Sequence, residues 1–394
     1  MAKKELLFVI NNLNVGGAEK ALLSLLQNFD YKKYNVDLQL FTEEGLFLEQ
    51  LPSEVRLLPV PENIKFFDMT FFQVIKTNLA PWKWNVIYNR IHFYIRRRKA
   101  STPAEASQIG WKPISKCLKK LDKTYDVAIG FLQNGPNYFV IEKVKAKKKI
   151  GFIHTDYNKG GLKSKYDLPY FKIFDHIVTV SEESKIILTN QFGDLTQKFC
   201  VIHNIVSSTY IENLAKEKIS YSFPKIVISI GRLISSKGYD LSLDAFRILK
   251  QKGMNFTWII LGEGPLKTYI ENKINEYGIT EHVKLFGNIA NPYPHLKNAD
   301  VFLHTSRYEG KSVVIDEAKI FGKAILITNF PTAKGQIENG KNGLIVEMSA
   351  VEIANGIEKL LSDTDLRKKL SCNLAMEKNN FKKELRKFYK LIES

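Results

Sequence analysis

Short apolar runs alternate with amphipathic stretches along nearly the whole chain. Runs rich in β-branched and aliphatic residues predict strands at 5–10 (ELLFVI), 35–41, 55–60, 125–131 (YDVAIGF), 148–153, 176–181 and 199–203. Between them, helical spacing of apolar positions fits 17–29 and 182–191. The pattern lapses over 207–224, a polar stretch ending in proline that reads as a linker. It then restarts, with strands at 225–230, 256–261, 282–286, 300–305, 323–328 and 343–346, and helices at 238–252, 265–277, 292–298, 312–322 and 349–362. Strands alternating with helices build parallel sheets covered on both faces. The fold class is therefore α/β, in two doubly wound halves, each with a ligand crevice at the carboxyl ends of its strands. A cleft between two such halves suits an enzyme with two substrates.

Length agrees, since 394 residues exceed what one core usually holds. The net charge of +17 adds a partner class: nucleic acid, anionic lipid headgroups or phosphate-bearing substrates. The charge has a focus. Residues 64–99 carry eight Lys or Arg against one Asp, with nine aromatics. That mixture suits a membrane interface, where aromatics embed and cations meet anionic headgroups. The alternative is that the aromatics pack as extra helices and the cations are solvated. The lysines of 143–149 (KVKAKKK) read as sharing that face. No nucleic-acid reader motif is present, so nucleic acid is not an expected partner. Cys117, Cys200 and Cys372 are scattered without CxxC spacing, which suits a reduced interior and gives no zinc site. The first apolar run is too short for a signal-peptide core, and no run approaches the ~18 residues of a membrane span. The expected location is cytoplasmic, at the inner face of the cell membrane. Asp363 and Asp365 form a D-x-D that opens an amphipathic helix and reads as capping rather than metal binding.

Candidate chemistry gathers at strand ends. A β-branched run ends at Gly231, followed by a polar loop with Arg232 and Lys237, then a helix from about Gly238. Two cations beside a helix N-terminus favour an anion; an ordinary solvated loop reads equally well. Gly262-x-Gly264 reads as a tight turn with Pro265 at the helix start. The stretch "HTSRYEGKSVVIDEAKIF" places Glu309 after a strand and Glu317 in the next helix. Gly310 permits close approach, and the amides of Lys311, Ser312 and Val313 form an anion site. Glu317 lies roughly 8 Å along the helix and suits a sugar hydroxyl, or both glutamates are surface charges. Gly16-Gly17 lead from a polar loop into a helix, a second potential phosphate cradle. His154 stands just past a strand end.

Together these segments resemble retaining glycosyltransferases of family 4, with the two-Rossmann-domain architecture called GT-B. The matching pieces include "NVGGAEKALLSLL", "IHTDY", "VTVSEESK", "SIGRLISSKGYDLSLDAF", the E-x7-E stretch and "ENGKNGLIV", in order across nearly the whole chain. The resemblance implies an N-terminal acceptor domain at 1–215 with its basic aromatic insert at 64–100. It further implies a donor domain at 222–375, and a C-terminal helix at 376–394 packing back on the first. It implies that Arg232 and Lys237 grip the donor diphosphate, Glu309 contacts the transferred sugar, and Glu317 binds ribose. Gly310 and the amides at Lys311, Ser312 and Val313 would meet the distal phosphate. Gly287-Asn288-Ile289 would bind the base, with Gly231 and Gly17 allowing close approach and His154 near the sugar's primary hydroxyl. Lys311 and Ser312 replace the usual aromatic and small residue, and Asp316-Glu317-Ala318-Lys319 the usual Glu-Ala-Met, which leaves donor identity open. The implied reaction is metal-independent and cofactor-free transfer from a nucleotide-sugar, UDP-sugar favoured, to a lipid-linked or glycan acceptor in capsular, exopolysaccharide or cell-wall synthesis. Oligomeric state is not readable. The alternatives are a catalytically inactive GT-B partner subunit and an epimerase of the same fold; the intact Arg232, Lys237, Glu309 and Glu317 speak against both.

Overall fold

The computed structural model describes residues 3–14, 16–70, 73–74, 84–221, 225–377 and 381–394. It has two compact units: residues 1–14, 18–203 and 384–394 form the first, and residues 15–17 and 204–383 the second.

The first unit is built on seven parallel strands. They are β1 (Lys4–Ile10), β2 (Tyr34–Leu40), β3 (Val55–Leu58), β4 (Thr124–Gly130), β5 (Lys145–Ile153), β6 (His176–Thr179) and β7 (Phe199–Val201). Their order is β3-β2-β1-β4-β5-β6-β7, with Lys4 opposite Tyr34 and Ile10 opposite Leu40. The strand order reverses between β1 and β4, the position where such sheets open a crevice. Leu6 to Ile10 are all fully buried, as a central parallel strand with both faces covered requires.

The last helix, Phe381–Glu393, completes this core. Phe381, Leu385, Phe388 and Ile392 follow helical spacing, and Phe388 stacks on Phe8 with ring centroids 6.1 Å apart. Tyr34 Oη donates to Glu393 Oε1 at 2.6 Å, and the Asp30 amide donates to Tyr389 Oη at 2.7 Å.

The basic aromatic insert divides its residues. Helix Trp84–Arg97 packs against helix Pro103–Lys116, whose start is fixed by Pro103 and by Thr102 accepting from the Glu105 amide. Phe66, Phe67, Val74, Val86, Phe93 and Cys117 form a small core of their own. On the outer side Trp84, Tyr88, Ile91 and Ile95 are exposed, one stripe at i, i+4, i+7 and i+11. Phe71, Phe72, Lys76, Trp82 and Lys83 lie outside the described residues. The lysines of 143–149 do not share this face. Lys145, Lys147 and Lys149 open β5 at the amino edge of the sheet, around a shallow depression with Lys120 and Lys143. Phe93 and Arg97 instead stand with Asn11, Thr42 and Gln133 at the carboxyl edge, and a nine-residue strand separates the edges by about 30 Å.

The second unit holds six parallel strands: β8 (Ile226–Ile230), β9 (Thr257–Leu261), β10 (Val283–Gly287), β11 (Val301–His304), β12 (Ala324–Thr328) and β13 (Leu344–Val346). Their order is β10-β9-β8-β11-β12-β13, so the switch point lies between β8 and β11. The predicted strands match the observed ones to within a few residues. The predicted linker differs: it contains helix Ser208–Leu214. Ile205, Val206, Ile211 and Ala215 are buried, and Asn291 Nδ2 donates to Leu214 O at 3.0 Å. The units therefore part after His203 rather than at 215, and the chain rejoins the first unit at Glu384 rather than 376. Asp363 caps helix Thr364–Met376, accepting from the Leu366 amide at 2.8 Å.

Candidate active site

The candidate site of the second unit is built on its switch point. After β8 the chain turns at Gly231, whose carbonyl accepts from Tyr239 Oη at 3.0 Å. Two glycines let the neighbouring loops close on this turn. A Cβ on Gly262 would fall 2.0 Å from the Gly231 oxygen, and one on Gly238, at φ +66°, would fall 2.1 Å from the Thr305 oxygen. The Gly262-x-Gly264 turn thus supports the Gly231 loop. Arg307 stitches the same loop to the segment after β11. Its amide donates to Ser236 O at 2.7 Å, and its guanidinium to Ser235 O at 2.7 Å. The guanidinium also reaches both Asp240 oxygens, at 2.9 and 2.6 Å. Burial would raise the Asp240 pKa, but Arg307 holds it below its ordinary value.

Glu309 is the hub. Its Oε1 accepts from Lys237 Nζ at 2.5 Å and from Ser306 Oγ at 2.7 Å, and lies 3.2 Å from His304 Nε2. Burial alone would raise its pKa, but the Lys237 charge and the His304 contact outweigh it, and Glu309 sits well below the usual carboxylate range. His304 is pushed below its ordinary value by burial, against the pull of Glu309. Lys237 is thus a paired cation. Arg232 is exposed and makes no ion pair among the described residues. The loop after β8 thus brings two cations, Arg232 and Lys237, against the one carboxylate of Glu309.

The rest of the predicted set gathers nearby. Helix Val313–Ile320 starts after Ser312, and Gly310, Ser312 and Val313 are buried. The Ser312 amide is not free: it donates to Gln336 Oε1 at 2.8 Å, while Gln336 Nε2 donates to Ser312 O at 2.8 Å. Lys311 Nζ stands 3.7 Å from Asp316 Oδ2, both side chains largely covered. Glu317 is 1% exposed and accepts from Tyr293 Oη at 2.9 Å, so it is no surface charge. Burial and the Glu317 charge raise the Tyr293 hydroxyl well above its ordinary pKa. Gly287, at φ +70°, ends β10, and its carbonyl accepts from the Gly262 amide at 2.7 Å. Asn288 is exposed, and Ile289 packs against the buried cluster that includes Ile228, Leu296 and Phe302. Gly17 groups with this unit, where a Cβ on it would come within 4.0 Å of Val313 Cγ2.

His154 belongs to the first unit. Its ring lies 5.0 Å from Phe131 and 5.7 Å from Phe152, and its buried Nε2 has no hydrogen-bond partner among the described residues. Burial lowers its pKa to about 4, so the ring is neutral at neutral pH.

Sequence reasoning missed His304, Ser306, Arg307, Tyr293 and Gln336. For His304 and Ser306 a signal existed: they end an apolar run, "DVFLHTS", where polar residues face the crevice. For Tyr293 and Gln336 none did, because their partners are distant in sequence. Among the described residues, no group of three or more His, Cys, Asp or Glu is gathered to hold a metal, and no helix is long and apolar enough to cross a membrane.

Two parallel sheets of this order, each covered by helices, are the GT-B fold. The chain superposes on Staphylococcus aureus TarM, solved with fondaparinux, α-GlcNAc-glycerol and UDP, with a TM-score of 0.71 and 17% identity over 99% of this chain and 100% of that one. Anabaena HepE, solved with UDP and glucose, gives 0.69 and 17% over 100% of both chains. Residues 211–375, which lie within the second unit, match the family model "Glycosyl transferases group 1". A Campylobacter jejuni N-acetylgalactosamine-N,N'-diacetylbacillosaminyl-diphospho-undecaprenol 4-alpha-N-acetylgalactosaminyltransferase is 30% identical over 198 residues, 47% of this chain and 53% of its own length. An uncharacterized glycosyltransferase of Methanocaldococcus jannaschii is 26% identical over 275 residues, 59% of this chain and 68% of its own. The chain thus spans about half to two thirds of these curated relatives.

Proposed function

We propose that the chain is a retaining glycosyltransferase that moves a sugar from a nucleotide-sugar, UDP-sugar favoured, to a lipid-linked or glycan acceptor in surface-polysaccharide or cell-wall glycan synthesis. The observation that carries this reading is the Lys237–Glu309 pair, with Arg232 beside it, at the β8–β11 switch point. The leaving group is a nucleoside diphosphate, so negative charge grows on its distal phosphate as the sugar's C–O bond breaks. Arg232 and Lys237 meet that charge as fixed cations, in place of a metal. An ammonium has three donors; Lys237 spends one on Glu309 and keeps two for phosphate. Glu309, held ionised by Lys237 and His304, accepts from hydroxyls of the transferred sugar. Glu317 takes the ribose, with Tyr293 fixing its orientation. The acceptor oxygen attacks the same face, and its proton passes to the departing phosphate oxygen. Gln336 must release the Ser312 amide for that donor to meet phosphate.

UDP is favoured because it is named in the TarM and HepE complexes. A lipid-linked acceptor is favoured by the diphospho-undecaprenol in the Campylobacter enzyme's name and by the exposed Trp84–Ile95 stripe beside Arg96 and Arg98, which suits an anionic membrane surface. The test is sugar transfer or donor hydrolysis with UDP-, GDP- and ADP-sugars, comparing wild type with Glu309→Ala and Arg232→Ala. Turnover of one donor that falls at least about 100-fold in both variants supports the reading; no turnover of any donor in wild type, or variants that match it, refutes it.

A further inference from the structure

The three amides that face the distal phosphate in the reading above are not alike. Among the described residues, those of Lys311 and Val313 have no hydrogen-bond acceptor. The Ser312 amide is taken by Gln336 Oε1 at 2.8 Å. Both residues are buried, Ser312 4% and Gln336 6% exposed. Gln336 Nε2 also donates to Ser312 O at 2.8 Å. The carboxamide therefore closes on both backbone groups of one residue, which fixes its orientation.

Two other side chains tie the same loops together, and they do it differently. Thr328 Oγ1 donates to Ser306 O at 2.6 Å, and Thr332 Oγ1 donates to Glu309 O at 3.1 Å. Both use carbonyls, which a phosphate does not need. They hold the loop after β12 against the loop after β11 whether or not Gln336 stays in place. Gln336 is the tie that occupies a donor. Its oxygen stands where a phosphate oxygen would, since charged hydrogen bonds run at roughly 2.7–2.9 Å. It brings no charge of its own. A neutral oxygen keeps the buried N–H paired, which would otherwise cost stability. It also yields to an anion, whose hydrogen bonds are about twice as strong. A second acceptor stands ready for the released carboxamide: Gln336 Nε2 is already 3.4 Å from Asp316 Oδ1, and the other Asp316 oxygen has Lys311 Nζ 3.7 Å away.

We propose that Gln336 is a placeholder for the donor's distal phosphate. It is a positioning residue that pairs the Ser312 amide in the empty site and turns to Asp316 when the phosphate arrives. The assignment rests on the glycosyltransferase reading above and adds to it a control on affinity. The diphosphate must outbid Gln336 for one amide. A nucleoside or nucleoside monophosphate, which has no distal phosphate, does not meet this competition.

The test is calorimetric titration of the full chain and of Gln336→Met, close in volume but without the carboxamide. The probes are UDP, GDP and ADP, each beside its monophosphate and its nucleoside. The diphosphate that binds wild type should bind Gln336→Met about fivefold tighter, the return of one hydrogen bond. Its monophosphate and nucleoside should bind both proteins alike. A mere strut gives the opposite sign, because a loosened loop holds the diphosphate less well. Unchanged or weaker diphosphate binding, or an equal gain for the monophosphate and nucleoside, would overturn the assignment. A crystal structure of wild type with the bound diphosphate decides independently, also if Gln336→Met does not fold. A phosphate oxygen should stand on the Ser312 amide with Gln336 turned to Asp316; Gln336 still on that amide would remove the placeholder and leave the donor reading. Wild type that binds none of the three diphosphates removes both.

Discussion

Arg232 and Lys237 occupy one loop but do different work. Arg232 is exposed and unpaired among the described residues. Arg232→Ala should therefore leave the melting temperature within about 1 °C while weakening UDP binding by ten- to a hundredfold, the worth of a charged hydrogen bond. Lys237 neutralises a carboxylate that is otherwise largely covered. Lys237→Ala should cost stability of order 2 kcal/mol as well as activity, read by denaturant unfolding beside a transfer assay. His154 gives a pH prediction. Its folded pKa of about 4 lies below the ordinary value of 6.5, so the unfolded chain takes up a proton that the folded one refuses. Its contribution is complete above about pH 6.5 and is lost as pH falls toward 4. Asp167 acts oppositely. It is buried under Tyr138, Tyr157 and Gln108, and burial raises it to about 6, so its contribution falls as pH rises from about 4 to 6. In His154→Gln the acid-side loss of stability should shrink; an unchanged pH profile of melting temperature would contradict the assignment. Residue type and spacing singled out the glutamates and the two cations, with a solvated loop and surface charges left as open readings, and the resemblance supplied their proposed roles. Their partners were not legible: no local pattern says that Lys237 turns to Glu309, or that Gln336 occupies the Ser312 amide from 24 residues away.

At the scale of elements, glycines set how closely the loops of the second unit approach. Gly238→Ala would drive a Cβ into the Thr305 carbonyl at a left-handed φ. It should lower stability by at least about 1–3 kcal/mol and reduce nucleotide binding together with it. The strands were legible to within a few residues because buried parallel strands are continuous apolar runs, as "ELLFVI" and "IVISI" are. The helix at Ser208–Leu214 was not, because its buried apolar positions, Ile211 within it and Ala215 just after it, are sparse in a polar stretch. The basic insert was half legible. Composition gave its aromatics and cations, but only packing separates Phe66, Phe67 and Phe93, which are core, from Trp84, 66% exposed. Trp84→Ala with Ile95→Ala should leave stability nearly unchanged and reduce co-sedimentation with anionic vesicles severalfold. Binding equal to wild type would end the membrane role of this stripe. The lysines at 143–149 show the opposite error: charge adds along a sequence, but a parallel sheet sends its two edges apart.

Across the whole molecule, the chain's end completes the core of the unit that its start begins. Phe388 is 1% exposed, stacked on Phe8 and close to Phe29. Phe388→Ala should cost about 3–5 kcal/mol, visible as a lower midpoint in denaturant unfolding. The succession of strands in both units was legible in the sequence, whereas the boundary between units was not, because burial rather than polarity decides which unit residues 204–215 join. The central claim is that the switch point between β8 and β11 holds a nucleoside diphosphate through side-chain cations. Its most direct test is calorimetric titration of the full chain with UDP, GDP and ADP, with a chelator present and no divalent cation added. The account predicts saturable binding of at least one nucleotide, UDP first, weakened at least tenfold by Arg232→Ala. No binding of any of the three, or binding that Arg232→Ala leaves intact, would contradict it.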